Sequence, residues 1–227
     1  MSAIPRPAST VVLMDDTNKV YLTKRPISMK FMGGFYVFPG GAVEDFDQEV
    51  NLEHIDSTSI HDSLDIAYYI AAARELFEEV GILLGQNTSG EVIQLPKDKK
   101  EAYRKALLNE EITFNDILKQ EMLYLDLHSL NYFGQIITPR RNPIRFDTRF
   151  FLTKLPHGQV PDPDKFEIDE AFWISPDQAI LSYQSGKIRL APPTIVSLKA
   201  VMKFQQGGAL EMSVEESELL EILRKQR

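Results

Sequence analysis

One turn of helix constrains this chain more than any other part of its sequence. Residues 74–82 read Arg-Glu-Leu-Phe-Glu-Glu-Val-Gly-Ile. Glu75, Glu78 and Glu79 stand at i, i+3 and i+4, so a helix brings their three carboxylates to one patch. Ile70, Ala73, Phe77 and Val80 are spaced to bury the opposite face, and Gly81 suits a left-handed C-terminal cap. Arg74 directly precedes the cluster and can fix a carboxylate through a forked, charge-assisted bond. Such a patch is either a solvated acidic face or a cation site, and the cap, the apolar stripe and Arg74 weigh against the first. Hard oxygen ligands suit Mg²⁺ or Mn²⁺, whose remaining positions are filled by water and phosphate oxygens. The turn therefore predicts phosphate chemistry.

The rest of the composition narrows the setting. A chain of 227 residues with 43% hydrophobic and 26% charged residues is an ordinary globular protein, long enough for one well-buried core in one large domain or two small ones. Its net charge of −8 argues against non-specific binding to nucleic acid or to an anionic membrane, so an anionic substrate must be met by metal and local basic groups. The absence of cysteine excludes disulfides, zinc-thiolate sites and thiol nucleophiles. His54, His61, His128 and His157 show no metal-ligand spacing. No apolar run is long enough for a membrane span and no signal core stands at the N-terminus, so a cytoplasmic location is expected.

Along the chain, residues 8–14 and 20–24 read as a β-hairpin turned at Asp15-Asp16-Thr17-Asn18. A glycine-punctuated stretch follows: Gly33-Gly34, an apolar run at 35–38, then Pro39-Gly40-Gly41. Residues 44–62 are acidic and aperiodic, which suggests a loop or insertion rather than a core element. A helix is predicted over 63–80, two more over 97–108 and 115–122 with Thr113 as cap, and strands over 132–138, 145–155 and 166–174. Ser175-Pro176 and Pro192-Pro193 open later helices, and Ser213 with Glu216 makes a capping box for a last one. The pattern points to a mixed α+β sandwich with the helical pair of 96–128 as an appendage.

Pro39-Gly40-Gly41 followed by Arg74-Glu75-Leu76-Phe77-Glu78-Glu79-Val80-Gly81-Ile82 resembles the signature box of the Nudix hydrolases, and every specified position of the box's second half matches. The first half does not. The family's spacing from Gly41 would put the arginine at position 55, so about 19 residues are inserted, and Ile66 stands where the arginine-orienting glutamate belongs. Asp65, Asp62 and Glu44 are the candidates to replace it. Together with Ile137-Thr138-Pro139, residues 145–151 and Leu190-Ala191-Pro192-Pro193-Thr194, the enlarged box is similar to the branch that includes peroxisomal acyl-coenzyme A diphosphatases.

The resemblance implies a single Nudix-type α/β/α sandwich over 1–227 with a mixed sheet and insertions at about 44–62 and 96–128. It implies hydrolysis of a pyrophosphate link in a nucleoside-diphosphate derivative, first coenzyme A or acyl-coenzyme A. ADP-ribose, another nucleotide sugar or a dinucleotide is the alternative substrate, and a non-catalytic nucleotide-binding module is the alternative role. Mg²⁺ or Mn²⁺ would be held by Glu75, Glu78, Glu79 and a backbone carbonyl at Gly41, with Arg74 orienting a ligand carboxylate. Glu170 is the first choice of general base, ahead of Glu167 and Asp169. Arg25, Arg145 and Arg149 are the substrate-phosphate candidates. Strand alternation sets Arg145, Asp147 and Arg149 on one face and Phe146, Thr148 and Phe150 on the other. Phe31, Phe35, Phe150 and Phe172 are read as core. The expected partner is a small molecule, with no nucleic acid and no membrane; a homodimer is left open.

Overall fold

A computed structural model describes residues 3–49, 52–56, 64–212 and 222. The elements in chain order are β1 (Arg6–Met14), β2 (Val20–Lys24), β3 (Tyr36–Val37), β4 (Gly40–Ala42), α1 (Asp45–Gln48), β5 (Ile55–Asp56), α2 (Ile66–Val80) and β6 (Gly85–Gln86). They continue with α3 (Lys97–Leu108), α4 (Phe114–Gln120), β7 (Tyr124–Asp126), β8 (Asn131–Ile137), β9 (Phe146–Lys154), β10 (Glu170–Ile174), α5 (Pro176–Gln184) and α6 (Pro192–Gln205). The capping box at Ser213 and Glu216, and Asp62, lie outside the described residues.

The main sheet runs β10-β2-β1-β9-β8, with β3 paired to β2 and β4 paired to β1. Strands β1 and β9 pair in parallel along their whole length, whereas β1 with β2, β2 with β10 and β8 with β9 are antiparallel, so the sheet is mixed. The hairpin turn closes where Asp15 Oδ1 accepts the backbone N–H groups of Thr17 and Lys19 and Asn18 takes a positive φ of 62°. Period-two alternation then divides the core. Val11, Leu13 and Phe151 face α2, while Val12, Met14, Leu22, Phe150 and Leu152 face α5 and α6. The result is an α+β sandwich of helix, sheet and helix.

Helix α2 ends as its sequence requires. Asp65 caps the N-terminus by accepting the Ala67 N–H, and Gly81, at φ 68°, donates to the carbonyls of Leu76 and Phe77. Two sequence expectations change in the structure. Strand β10 begins at Glu170, because residues 164–168 form a turn around the Asp164 carboxylate, which accepts the N–H groups of Phe166 and Glu167. The helical insert is no appendage. Leu107, Phe114, Ile117 and Leu118 share one core with Phe77, Val80 and Ile82, and the Phe114 and Phe77 rings lie 6.2 Å apart. A small sheet of β5, β7 and β6 flanks the insert. The reason is that α2 is apolar on more of its circumference than the main sheet can cover.

If the insert completes this core, Phe114→Ala should cost about 3–5 kcal/mol of unfolding free energy in a denaturant titration. A loss under about 1 kcal/mol would return the insert to the status of an appendage.

Candidate active site

Arg74 is the centre of the site. It is buried, and all five of its N–H donors are used. Nε and Nη2 fork onto the two oxygens of Asp47 at 2.9 Å each. Nη1 donates to Glu75 at 2.9 Å and Glu78 at 3.0 Å, and Nη2 also donates to the Ala42 carbonyl at 2.9 Å. The Phe46 ring lies 5.2 Å from the guanidinium carbon. Burial by itself would lower the Arg74 pKa, but hydrogen bonds and charge from Asp47, Glu75 and Glu78 raise it instead.

Asp47 therefore holds Arg74, and neither Asp65 nor Glu44, the two described candidates from sequence, does so. Asp65 is spent on the α2 cap, and Glu44 pairs with Arg6 at 3.2 Å near the surface. Asp47 is fully buried because α1 carries it inward: it is the third residue of that helix, and its Oδ2 also accepts the Glu44 N–H at 2.9 Å in a capping box. The acidic stretch read as a loop thus contains a core carboxylate. The Glu44–Asp47 spacing was the local signal for it.

Across the turn, β4 approaches α2 so closely that a Cβ added at Gly41 would lie 2.4 Å from Glu75 Oε1. The Gly40 N–H donates to Glu79 at 3.3 Å. The glutamates are thus buried together without a full set of counter-charges. Burial raises Glu75 to about 8, against the pull of Arg74, and raises Glu78 to about 7 for the same reason. Glu79 is raised well above its ordinary range by burial and by the charges of Glu75 and Glu167, against Arg25. Glu167 is itself raised by burial and Asp164.

Among the described residues no three His, Cys, Asp or Glu side chains stand already converged as a coordination shell. Glu75 and Glu78 turn toward Arg74, and Glu79 toward Gly40. The donor set nonetheless fits a hard divalent cation. It offers carboxylate oxygens only, with an excess of negative charge that an ion would relieve.

On the α6 side of β1 and β4 lies a cavity of about 330 Å³. Its walls include Phe31, Met32, Phe38, Ile136, Phe146 and Phe150, with the hydroxyl residues Thr10, Thr138, Thr148 and Thr194 and the cations Arg6 and Arg25. Arg25 connects the two sides, since it lines this cavity and also acts electrostatically on Glu79 and Glu167. Its Nε is buried without a hydrogen-bond partner.

Arg145 and Arg149 do not reach the cavity. Strand alternation gives it Phe146, Thr148 and Phe150 instead. Arg145 donates to the carbonyls of Thr138 and Ala3, at 2.9 and 2.7 Å, and so ties down the first strand. Arg149 pairs with Asp147 and lies 4.6 Å over the Tyr68 ring. Glu170 accepts the Tyr36 hydroxyl at 2.6 Å and faces Lys24, away from the glutamate turn, whereas Glu167 acts on all three glutamates. Phe31 and Phe150, read as core, are cavity walls; Phe35 packs under Arg189 and Phe172 against Tyr36.

A family profile described as the NUDT19 Nudix domain matches residues 53–201. A Xenopus laevis protein described as acyl-coenzyme A diphosphatase NUDT19 is 26% identical over 82% of this chain. Its Homo sapiens counterpart is 30% identical over 65% of it. These relatives are longer, and the aligned regions span 60% and 44% of their lengths. A crystal structure of a NUDIX hydrolase from Alicyclobacillus acidocaldarius superposes with a TM-score of 0.78 at 29% identity, over 93% of this chain and 99% of that one. No helix among the described residues is long and apolar enough to cross a membrane.

Two outcomes follow from this geometry. Asp47→Ala leaves a buried guanidinium half unpaired and should cost roughly 3–5 kcal/mol in urea unfolding. Asp65→Ala removes only a helix cap and should cost about 1 kcal/mol; equal losses would refute the assignment. Glu75 and Glu78 hold protons in the fold up to about 8 and 7, against 4.5 ordinarily. Between these limits the folded protein binds more protons than the unfolded chain, so their contribution to stability falls as pH rises. The melting temperature of metal-free protein should thus gain more from added Mg²⁺ at about pH 8 than at about pH 5.5. Equal gains would count against a carboxylate site.

Proposed function

The chain belongs to the NUDT19 Nudix family, and on that premise we propose that it is a Mg²⁺- or Mn²⁺-dependent diphosphatase acting on coenzyme A or acyl-coenzyme A. The observation that carries this reading is the position of Arg25. Arg25, whose buried Nε has no partner, lines the cavity and also acts electrostatically on Glu79 of the buried carboxylate turn. A substrate that places its diphosphate at Arg25 reaches the turn on one side and the cavity on the other. The acyl-coenzyme A diphosphatase description of the longer relatives supports the choice of substrate.

The protein groups divide the work. Glu75, Glu78 and Glu79 would hold the cation, with the carbonyl at Gly41 as a further oxygen donor. When bound, such an ion neutralises the bridging phosphates and lowers the pKa of the attacking water. Arg74 keeps Glu75 and Glu78 oriented through bonds that Asp47 anchors. The Arg25 guanidinium steadies a phosphate oxygen, and a forked donor suits that task. Gly40 and Gly41, having no side chains, let β4 pack directly on β1 and on Glu75, which brings the Gly41 carbonyl beside the carboxylate turn. Glu167, whose carboxyl is raised by burial, takes the proton released by the water. Glu170 has no part in this, being engaged with Tyr36 and Lys24.

A substrate panel with product identification tests the reading. Release of 3′,5′-ADP and a phosphopantetheine product from coenzyme A is the expected result, whereas AMP from ADP-ribose alone would transfer the site to nucleotide sugars. Glu78→Gln and Glu79→Gln should each lower kcat by orders of magnitude while the fold is kept. Glu167→Gln should lower kcat far more than Glu170→Gln; the reverse order would restore Glu170 as the base.

A further inference from the structure

The helical insert reaches the glutamate turn through one buried side chain. Helix α2 leaves its last carbonyls without partners inside the helix, as every helix does. The cap at Gly81 takes those of Leu76 and Phe77. The next three belong to Glu78, Glu79 and Val80, and groups distant in sequence take them. Arg104 of α3 donates from Nε to the Glu78 carbonyl at 2.8 Å and from Nη2 to the Glu79 carbonyl at 3.1 Å. Its Nη1 donates to the carbonyl of Asp162 at 2.9 Å. The Asp162 N–H closes on the Val80 carbonyl and the Asp164 N–H on that of Glu79, both at 2.8 Å. Asp164 in turn accepts the Glu167 N–H at 3.1 Å.

We infer that Arg104 is a positioning residue, locking the carboxylate turn of α2 and the segment bearing Glu167 into one fixed relation. Three features carry this beyond ordinary helix capping. The guanidinium is buried, and each of its nitrogens bonds a backbone carbonyl. Two of those carbonyls belong to Glu78 and Glu79 themselves, so a shift of Arg104 is passed to the Cα atoms that carry the carboxylates. The third lies on the strap that runs on to Glu167. There is also a charge argument. Glu78 and Glu79 sit in the last turn, where the helix dipole is negative and disfavours anions, and a cation set on those carbonyls offsets that cost. The inference rests on the proposed metal-dependent reading, and its test has a readout independent of turnover.

The experiment compares Arg104→Met, Arg104→Lys and Leu118→Ala, the last weakening the insert's core without touching the clamp. Thermal stability, Mn²⁺ affinity in substrate-free protein by electron paramagnetic resonance, and kcat and KM on the coenzyme A substrate are measured. Arg104→Met should weaken Mn²⁺ binding about 10-fold and lower kcat about 10–100-fold, with KM within about threefold. Leu118→Ala should lower the melting temperature at least as much with Mn²⁺ affinity and kcat near wild type. Arg104→Lys, whose single ammonium cannot span three carbonyls, should shift Mn²⁺ affinity and kcat in the same direction by a smaller factor, and it decides the matter if the methionine variant does not fold. Wild-type Mn²⁺ affinity in a folded Arg104 variant overturns the inference. If no substrate is hydrolysed, the Mn²⁺ arm still decides for or against Arg104, while the diphosphatase reading fails separately.

Discussion

Everything at this site depends on a guanidinium with no donor to spare. Arg74 spends two N–H groups on Asp47, two on Glu75 and Glu78, and one on the Ala42 carbonyl. A planar fork bonded in this way has one orientation. It fixes α1 to α2 through Asp47, fixes α2 to β4 through Ala42, and aligns two of the three glutamates. The close packing of Gly41 against Glu75 accompanies this: a glycine without a side chain lets β4 lie on the helix while Arg74 bonds both Ala42 and Glu75.

The second constraint is electrostatic. Three glutamates this close repel one another, and Glu78 and Glu79, in the last turn of the helix, are opposed by its dipole as well. The fold answers with cations from distant segments. Arg104 arrives from the insert onto the helix-end carbonyls and Arg25 from the end of β2 toward Glu79. The balance is left incomplete, which is why burial still drives the glutamate pKa values up. A site under this tension gains from a cation in a way that a neutral pocket would not.

Which of these features can be read from the chain depends on the range over which each is encoded. Helices α2, α3 and α4 were legible because caps and apolar stripes are local, as with Thr113 and Gly81, although α2 begins at Ile66, after the Asp65 cap, rather than at 63. The carboxylate turn was legible for the same reason. The partner of Arg74 was not, because nothing near the arginine marks which acid in a stretch 27 residues earlier folds back onto it. The capping spacing of Glu44 and Asp47 predicts a turn of helix and, with it, an inward-facing Asp47. Arg104 hid in a lysine-rich helix that looks solvated. Its position three residues before the buried Leu107 is the sign that it shares the inward face.

The same reasoning bears on the arginine-rich strand, whose Arg145 and Arg149 were expected to contact substrate phosphate. Arg140, Arg141, Arg145 and Arg149 crowd the start of β9, yet a strand presents alternate residues to opposite faces. The face toward the cavity carries Phe146, Thr148 and Phe150, and the arginines are consumed by Thr138, Ala3, Asp147 and Tyr68. Positive charge close in sequence is therefore poor evidence of a phosphate site when each cation already has a partner. Arg25, alone at the end of β2, is the better candidate because its buried Nε has none. An unsatisfied buried donor costs free energy, and on the proposed reading a phosphate oxygen held by the Arg25 guanidinium would recover part of it.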